Sequence, residues 1–151
     1  MTFVATFFRT RHCILTLYPL LSMTSSPAPD VFVVDDNNLV RTGIVRMLEN
    51  ENLVVKEFDR PRPFIAEIFA AKTLPRIIIS DFDMPEMNGL EIIQMLKSSP
   101  AHKHLPVLVV SAQINPEIHE KALKAGAVGW IKKSAIGNDM LPAVRKHILQ
   151  K

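Results

Sequence analysis

In "RIIISDFDMPEMNG", residues 76–89, three consecutive isoleucines run straight into two aspartates one residue apart, Asp81 and Asp83, followed by Met-Pro and Asn-Gly. Ile77–Ser80 is short, rich in β-branched residues and bounded by turn formers, the pattern of a strand buried on both faces. Such strands belong to parallel sheets covered by helices. The carboxyl end of this one carries acid, which raises the question of which aspartate does chemistry.

Working outward, the chain alternates between two kinds of segment from Asp30 onward. Four more β-branched runs are Val31–Val34, Leu53–Phe58, Val107–Ser111 and Val128–Ile131. The intervening segments have helical spacing. Val40, Ile44, Met47 and Leu48 fall on one helix face, and Phe64, Ile65, Ile68 and Phe69 on another. Leu90, Ile93 and Leu96 mark a third helix, and Ile118, Ala122 and Ala125 a fourth that Pro116 opens. Leu141, Val144 and Ile148 mark the fifth, with Asp139 as its expected N-cap and Pro142 in its first turn. Five strand–helix pairs in strict alternation imply an α/β fold, a doubly wound parallel sheet with helices on both faces.

Ligands of an open parallel sheet bind beyond the carboxyl ends of its strands. The residues at those ends are Asp35 and Asp36 after the first strand, Asp81 and Asp83 after the third, Ser111 on the fourth, and Lys132 and Lys133 on the fifth. Acids, a hydroxyl and an ammonium thus converge on one rim. The second strand ends in Glu57-Phe58-Asp59 and reads as an edge strand away from that rim. Neighbouring carboxylates repel, and a divalent cation removes that cost. Mg²⁺ suits an all-oxygen donor set. One aspartate could then act as nucleophile toward a phosphoryl group, with the lysine and hydroxyl as donors to its oxygens. His102 and His104, in the loop before the fourth strand, read as solvated rather than as metal ligands. Asp35 alone also fits a carboxylate near the start of the first helix.

Bulk properties bound the reading. A chain of 151 residues holds one domain with a proper core. A net charge of +3 gives no case for direct nucleic-acid binding through bulk charge. Cys13 is the only cysteine, so no internal disulfide forms, which fits a cytoplasmic setting. "MTFVATFFRTRHCILTLYPLL", residues 1–21, has a signal-like outline with a nine-residue apolar run, Cys13 to Leu21. That run is too short to span a membrane, and Pro19 interrupts it. Residues 1–29 are therefore read as a disordered extension, or an over-long gene start with Met23 as initiator, ahead of a domain at residues 30–151.

The motifs "VFVVDDN" (31–37), "DFDMPEMNG" (81–89), "VLVVSA" (107–112) and "AGAVGWIKK" (125–133) resemble those of a receiver domain of two-component response regulators, in order and suitably spaced. The resemblance implies a flavodoxin-like, five-stranded parallel sheet of order 2-1-3-4-5 with five flanking helices. It implies Asp81 as phosphoacceptor, taking a phosphoryl group from a histidine kinase or phosphotransfer protein. It implies Mg²⁺ held by Asp36, Asp81 and the backbone carbonyl of Asp83, with Asp35 assisting. Lys133 and Ser111 would bind the phosphoryl oxygens, and Trp130 stands where the family usually has a switch Tyr or Phe. Asp83 and Gln113 occupy positions that tune autodephosphorylation. The family commonly has proline after the lysine; Ser134 stands there, so a trans Lys133–Ser134 peptide is expected.

The stretch around Asp81 also admits a haloacid-dehalogenase-type phosphatase, which needs Thr or Val two residues after Asp83 and a downstream acidic motif. Pro85 occupies that place and the acidic pair lies upstream, which favours the receiver. The expected function is a stand-alone phosphorylation switch, not a conventional enzyme. Its downstream protein would bind the face of the fourth helix, fifth strand and fifth helix, with a homodimer as a further option. The alternatives are a phosphorylation-independent binding module and a small aspartate-dependent phosphatase.

Overall fold

The computed structural model describes residues 27–149. The expected extension at residues 1–29 falls almost wholly outside them. The elements are β1 (Val31–Val34), α1 (Asn38–Glu49), β2 (Val55–Phe58), α2 (Pro61–Ala70), β3 (Ile77–Asp81), α3 (Gly89–Ser98), β4 (Val107–Ser111), α4 (Pro116–Ala125), β5 (Gly129–Lys132), a 3-10 turn (Lys133–Ala135) and α5 (Ile136–Ile148). All strand pairs are parallel, in the order β2-β1-β3-β4-β5. This is the flavodoxin-like arrangement expected, with β2 at an edge.

Successive side chains of a strand point to opposite faces, and the core divides accordingly. Phe32, Val34, Ile78, Val107 and Val109 pack with Phe64, Ile68, Ile93, Leu96 and Ala122 of α2, α3 and α4. Val31, Val33, Ile77, Ile79, Leu108 and Val110 pack with Ile44, Leu48, Met140, Val144 and Ile148 of α1 and α5. Phe32, Phe58 and Phe64 form an aromatic cluster with ring centroids 5.3 to 6.3 Å apart. Both faces of the sheet are thus covered, which is why the central strands read as unbroken apolar runs.

The local chemistry sets the helix starts. Asn37 caps α1, its side chain accepting from the amides of Leu39 and Val40. Asp35 is therefore not the cap. Asn88 and Glu91 close a reciprocal capping box at α3: Glu91 N donates to Asn88 Oδ1 at 3.0 Å and Asn88 N to Glu91 Oε2 at 2.8 Å. Asn115 caps α4, with Pro116 in its first turn as expected. At α5 the expectation fails. The 3-10 turn feeds straight into a helix that begins at Ile136, so Asp139 lies in its first turn rather than capping it. Pro142 consequently falls inside the helix, where burial of Met140, Val144 and Ile148 holds the segment despite the lost amide. No peptide bond among the described residues is cis, so Lys133–Ser134 is trans.

His102 corrects a second expectation. It is buried, not solvated. The loop after α3 folds back on α2, so that Nε2 lies 3.2 Å from the carbonyl of Ile68 and Nδ1 lies 2.7 Å from Ser99 Oγ. A helix leaves its last four carbonyls without internal donors, and His102 serves one of them. Phe69 packs on the ring at 4.4 Å between centroids. His104 is exposed. No described helix is long and apolar enough to cross a membrane.

Gly89 positions the rim directly. Its amide donates to Phe82 O at 2.9 Å. A Cβ there would lie 3.0 Å from both Asp81 O and Phe82 Cα, which are backbone atoms that cannot rotate away. Gly89→Ala is expected to cost about 1–3 kcal/mol through this overpacking. Thermal denaturation checks it: a melting temperature equal to that of the wild type would show that the strand end yields freely.

Candidate functional site

Each site residue lies at or just past the carboxyl end of a strand. Asp35 follows β1, Asp81 ends β3, Ser111 ends β4 and Lys133 follows β5. The structure brings the first three acids together: carboxylate oxygens of Asp35, Asp36 and Asp81 all lie within 4.8 Å of one another. Asp35 and Asp81 are each 1% exposed, whereas Asp36 is open to solvent.

Lys133 is the counter-charge. Its Nζ stands 3.3 Å from Asp35 Oδ2 and 3.1 Å from Asp81 Oδ2. Neither approach has hydrogen-bond geometry, so both buried Oδ2 atoms are left without a hydrogen bond. Asp35 Oδ1 is satisfied by the amide of Asn37 at 2.7 Å, and Asp81 Oδ1 weakly by the amide of Asp83 at 3.4 Å. Two buried carboxyl oxygens without hydrogen-bond partners therefore lie beside a third carboxylate. This all-oxygen donor set matches a Mg²⁺ site, since a hard cation takes one or two carboxylates and keeps several waters.

Burial and repulsion act on the acids in the same direction. Loss of hydration, then the charge of Asp35, pushes the Asp81 carboxyl up to about 7 despite Lys133. Asp35 is also raised, chiefly by burial. Burial works against the Lys133 ammonium, but its contacts with Asp81 and Asp35 outweigh that and hold its pKa above the ordinary lysine value.

Asp83 and Ser111 extend the site. Asp83 is exposed, and Ser111 Oγ donates to its Oδ2 at 3.3 Å. The Gln113 amide reaches Ser111 Oγ at 3.4 Å, while the rest of Gln113 is exposed. Beside them lies a cavity of about 280 Å³ lined by Phe82, Asp83, Ser111, Gln113, Ile118 and Trp130, among others. The Trp130 ring packs 5.0 Å from Phe82 and 5.6 Å, edge-on, from His119. Its Nε1 is buried with no hydrogen-bond partner.

One contributor escaped the reading of the sequence. Arg41 donates from Nη1 to the Asp35 carbonyl at 2.7 Å and from Nε to Glu57 Oε2 at 2.9 Å. The end of β2, expected to stand apart, therefore touches the site through this guanidinium. No spacing rule would have found it, because the contact depends on how β1 and β2 pair.

The response regulator receiver domain model matches residues 31–145. The chain is 30% identical to the two-component response regulator ORR3 of Oryza sativa subsp. japonica over 82% of this chain and 94% of that protein. It is 34% identical to the response regulator GacA of Pseudomonas protegens, over 76% of this chain and 53% of GacA. The solved structure of the chemotaxis protein CheY4 of Vibrio cholerae superposes with a TM-score of 0.70 at 26% identity, covering 78% of this chain and 96% of that one.

The raised pKa of Asp81 has a testable consequence for stability. Between pH about 4 and about 7, metal-free folded protein holds a proton that the unfolded chain has released. The contribution of this group is therefore intact below about pH 4 and is lost as pH rises toward 7. At pH 8 in chelator, Asp81→Asn is expected to be more stable than the wild type, because the variant buries one carboxylate charge fewer beside Asp35. Near pH 4 the two converge. Thermal melts at both pH values check this, and an Asn variant that melts lower at pH 8 would contradict it.

Proposed function

We propose, for a chain that belongs to the response regulator receiver domain family, that Asp81 accepts a phosphoryl group from a phosphohistidine protein and thereby alters partner binding. The observation that carries this is the buried Asp81 carboxylate, held 3.1 Å from Lys133 within a three-carboxylate cluster. The acid cluster equips a phosphoacceptor domain with aspartyl-phosphate chemistry, which is self-phosphorylation and dephosphorylation rather than turnover of a separate substrate.

In the proposed reaction an Asp81 carboxylate oxygen attacks phosphorus as the phosphorus–nitrogen bond to the donor imidazole breaks. The product is an acyl phosphate on Asp81, and the electron pair of the broken bond returns to the imidazole. Asp35, Asp36 and Asp81 would hold Mg²⁺, with the Asp83 carbonyl as a further ligand. When bound, that cation supplies positive charge toward the phosphoryl oxygens. Lys133 supplies the remaining charge from the opposite element, and its ammonium shifts from carboxylate to phosphoryl oxygen with little travel. Ser111 would leave Asp83 and donate to the phosphoryl group. Asp83 and Gln113, at the mouth of the site, would govern how readily water attacks the acyl phosphate.

The response would pass through the cavity beside Ser111. Movement of the hydroxyl would change the cavity that Ser111 and Trp130 both line, and Trp130 lies on β5 next to α4. A downstream protein is proposed to read the face formed by α4, β5 and α5. Full inversion of a two-state equilibrium needs about 5.5 kcal/mol of differential stabilisation, so partner binding would complete the shift that phosphorylation starts.

Incubation with acetyl phosphate and Mg²⁺ tests the assignment by intact mass. A phosphoryl increment is expected in the wild type and in Asp83→Asn, and none in Asp81→Asn. Labelling that survives in Asp81→Asn would overturn Asp81 as acceptor. Emission from Trp130, the single tryptophan, is expected to change with labelling, and constant emission would remove Trp130 from the response.

A further inference from the structure

The carbonyl of Asp35 belongs to the peptide that joins Asp35 to Asp36. The orientation of that one plane sets where both carboxylates point. Asn37 then opens α1, so three residues turn the chain from β1 into the helix while presenting two acids. A connection that short, bearing like charges, has every electrostatic reason to splay. The Asp35 amide donates to Phe58 O at 3.1 Å and the Asn37 amide to Asp35 Oδ1 at 2.7 Å, which hold the start of the connection and the Asp35 side chain but not the carbonyl between Asp35 and Asp36.

Arg41 supplies what the backbone does not. Its Nη1 donates to the Asp35 carbonyl at 2.7 Å, its Nε to Glu57 Oε2 at 2.9 Å and its Nη2 to Asn38 Oδ1 at 2.9 Å. The side chain is 11% exposed, so this fork is held from the sheet side rather than waving in solvent. Arg41 itself is anchored one turn into α1, where its amide donates to Asn37 O at 2.9 Å. One planar group thus ties the end of β1, the end of β2 and the start of α1.

We propose that Arg41 is a positioning residue for the acidic site, its guanidinium fixing the Asp35–Asp36 peptide so that both carboxylates face Asp81. The proposal rests on the reading of that site as one for a divalent cation and a phosphoryl group. Arg41 acts through geometry, since Glu57 offsets its charge and it makes its contact with Asp35 at the carbonyl, not the carboxylate. Residues that orient metal ligands in this way typically change metal affinity about 10–100-fold when removed. Lysine is no substitute, because one ammonium on a flexible stem cannot reach three acceptors set at the angles of a fork.

Mg²⁺ titration of the full chain, followed by amide chemical shifts well below the melting temperature, tests the proposal without relying on phosphorylation. Arg41→Ala is expected to weaken Mg²⁺ about ten-fold, and Arg41→Lys in the same direction, while amide shifts remote from the β1–α1 connection and the end of β2 stay unchanged. Acetyl-phosphate labelling of either variant is expected to return to the wild-type rate when Mg²⁺ is raised to saturation, a rescue that general loss of folding would not show. Mg²⁺ affinity within about two-fold of wild type in the Lys variant overturns the proposal, and does so alone if the Ala variant fails to fold. A wild type whose shifts ignore Mg²⁺ overturns the underlying reading of the site instead, and that result is separate from any effect of Arg41.

Discussion

Two like charges buried side by side are the constraint around which this molecule is built. Asp35 and Asp81 are each 1% exposed, with carboxylate oxygens inside a 4.8 Å cluster. At ~5 Å and an effective dielectric constant of ~20, two such charges repel by about 3 kcal/mol, before the cost of removing them from water is counted. A domain of this size is stable by only about 5–15 kcal/mol in total. Lys133 recovers part of the deficit, and a proton on Asp81 recovers more when no cation is present. What makes the arrangement tolerable is the rest of the core. Ile77, Ile78, Ile79, Val109 and Val110 are at most 1% exposed, each contributing about 1.5–3 kcal/mol on burial.

Strand register turns that constraint into a site. Val34 pairs with Ser80, so Asp35 and Asp81, one step further along each strand, become neighbours. Asp81 pairs with Val110, which places Ser111 one step beyond the acid. Ser111 pairs with Lys132, which places Lys133 one step beyond the hydroxyl. Each of these rim residues is thus the next one along from a paired position, and the series ascends the sheet as a staircase. A slip of one residue in any of these pairings would send a rim side chain to the opposite face. Because both faces are packed, such a slip would disrupt both apolar layers at once, so the same burial that stabilises the sheet also specifies the site.

That dependence explains what was legible in the sequence. Asp35, Asp36, Asp81, Ser111 and Lys133 could be placed together because apolar strands announce their own ends, and parallel topology brings those ends to one rim. The pattern located strands to within two residues; β2 begins at Val55 rather than Leu53 because the chain reaches it through Asn52, whose φ of 60° closes the turn after α1. Contacts between elements were another matter. His102 looked solvated because nothing in "AHKH" reveals that its loop folds onto the carbonyl of Ile68. Arg41 carries no signal in the sequence, since its partners are 6 and 16 residues away along the chain. The start of α5 was misplaced because Asp139 and Pro142 carry strong local preferences that the 3-10 turn, entering from β5, overrides.

The hydroxyl of Ser111 is where the static rim acquires a choice. A hydroxyl has one proton to donate, and here that proton goes to Asp83 Oδ2 at 3.3 Å, long for a hydrogen bond to a carboxylate. Asp83 is exposed and solvent can take the place of Ser111 at its oxygen, so giving up the bond costs little. A phosphoryl group on Asp81 would offer the same proton a more highly charged acceptor in a drier place, where hydrogen bonds to ionised groups are stronger. Competition between an exposed carboxylate and a buried anion is therefore weighted toward the anion only when phosphorus is present. A cavity adjoins Ser111 on the side of Trp130, whose buried Nε1 has no hydrogen-bond partner. Space is therefore available on the side of Ser111 that faces Trp130 of β5, where a side chain can be displaced without opening the close-packed core.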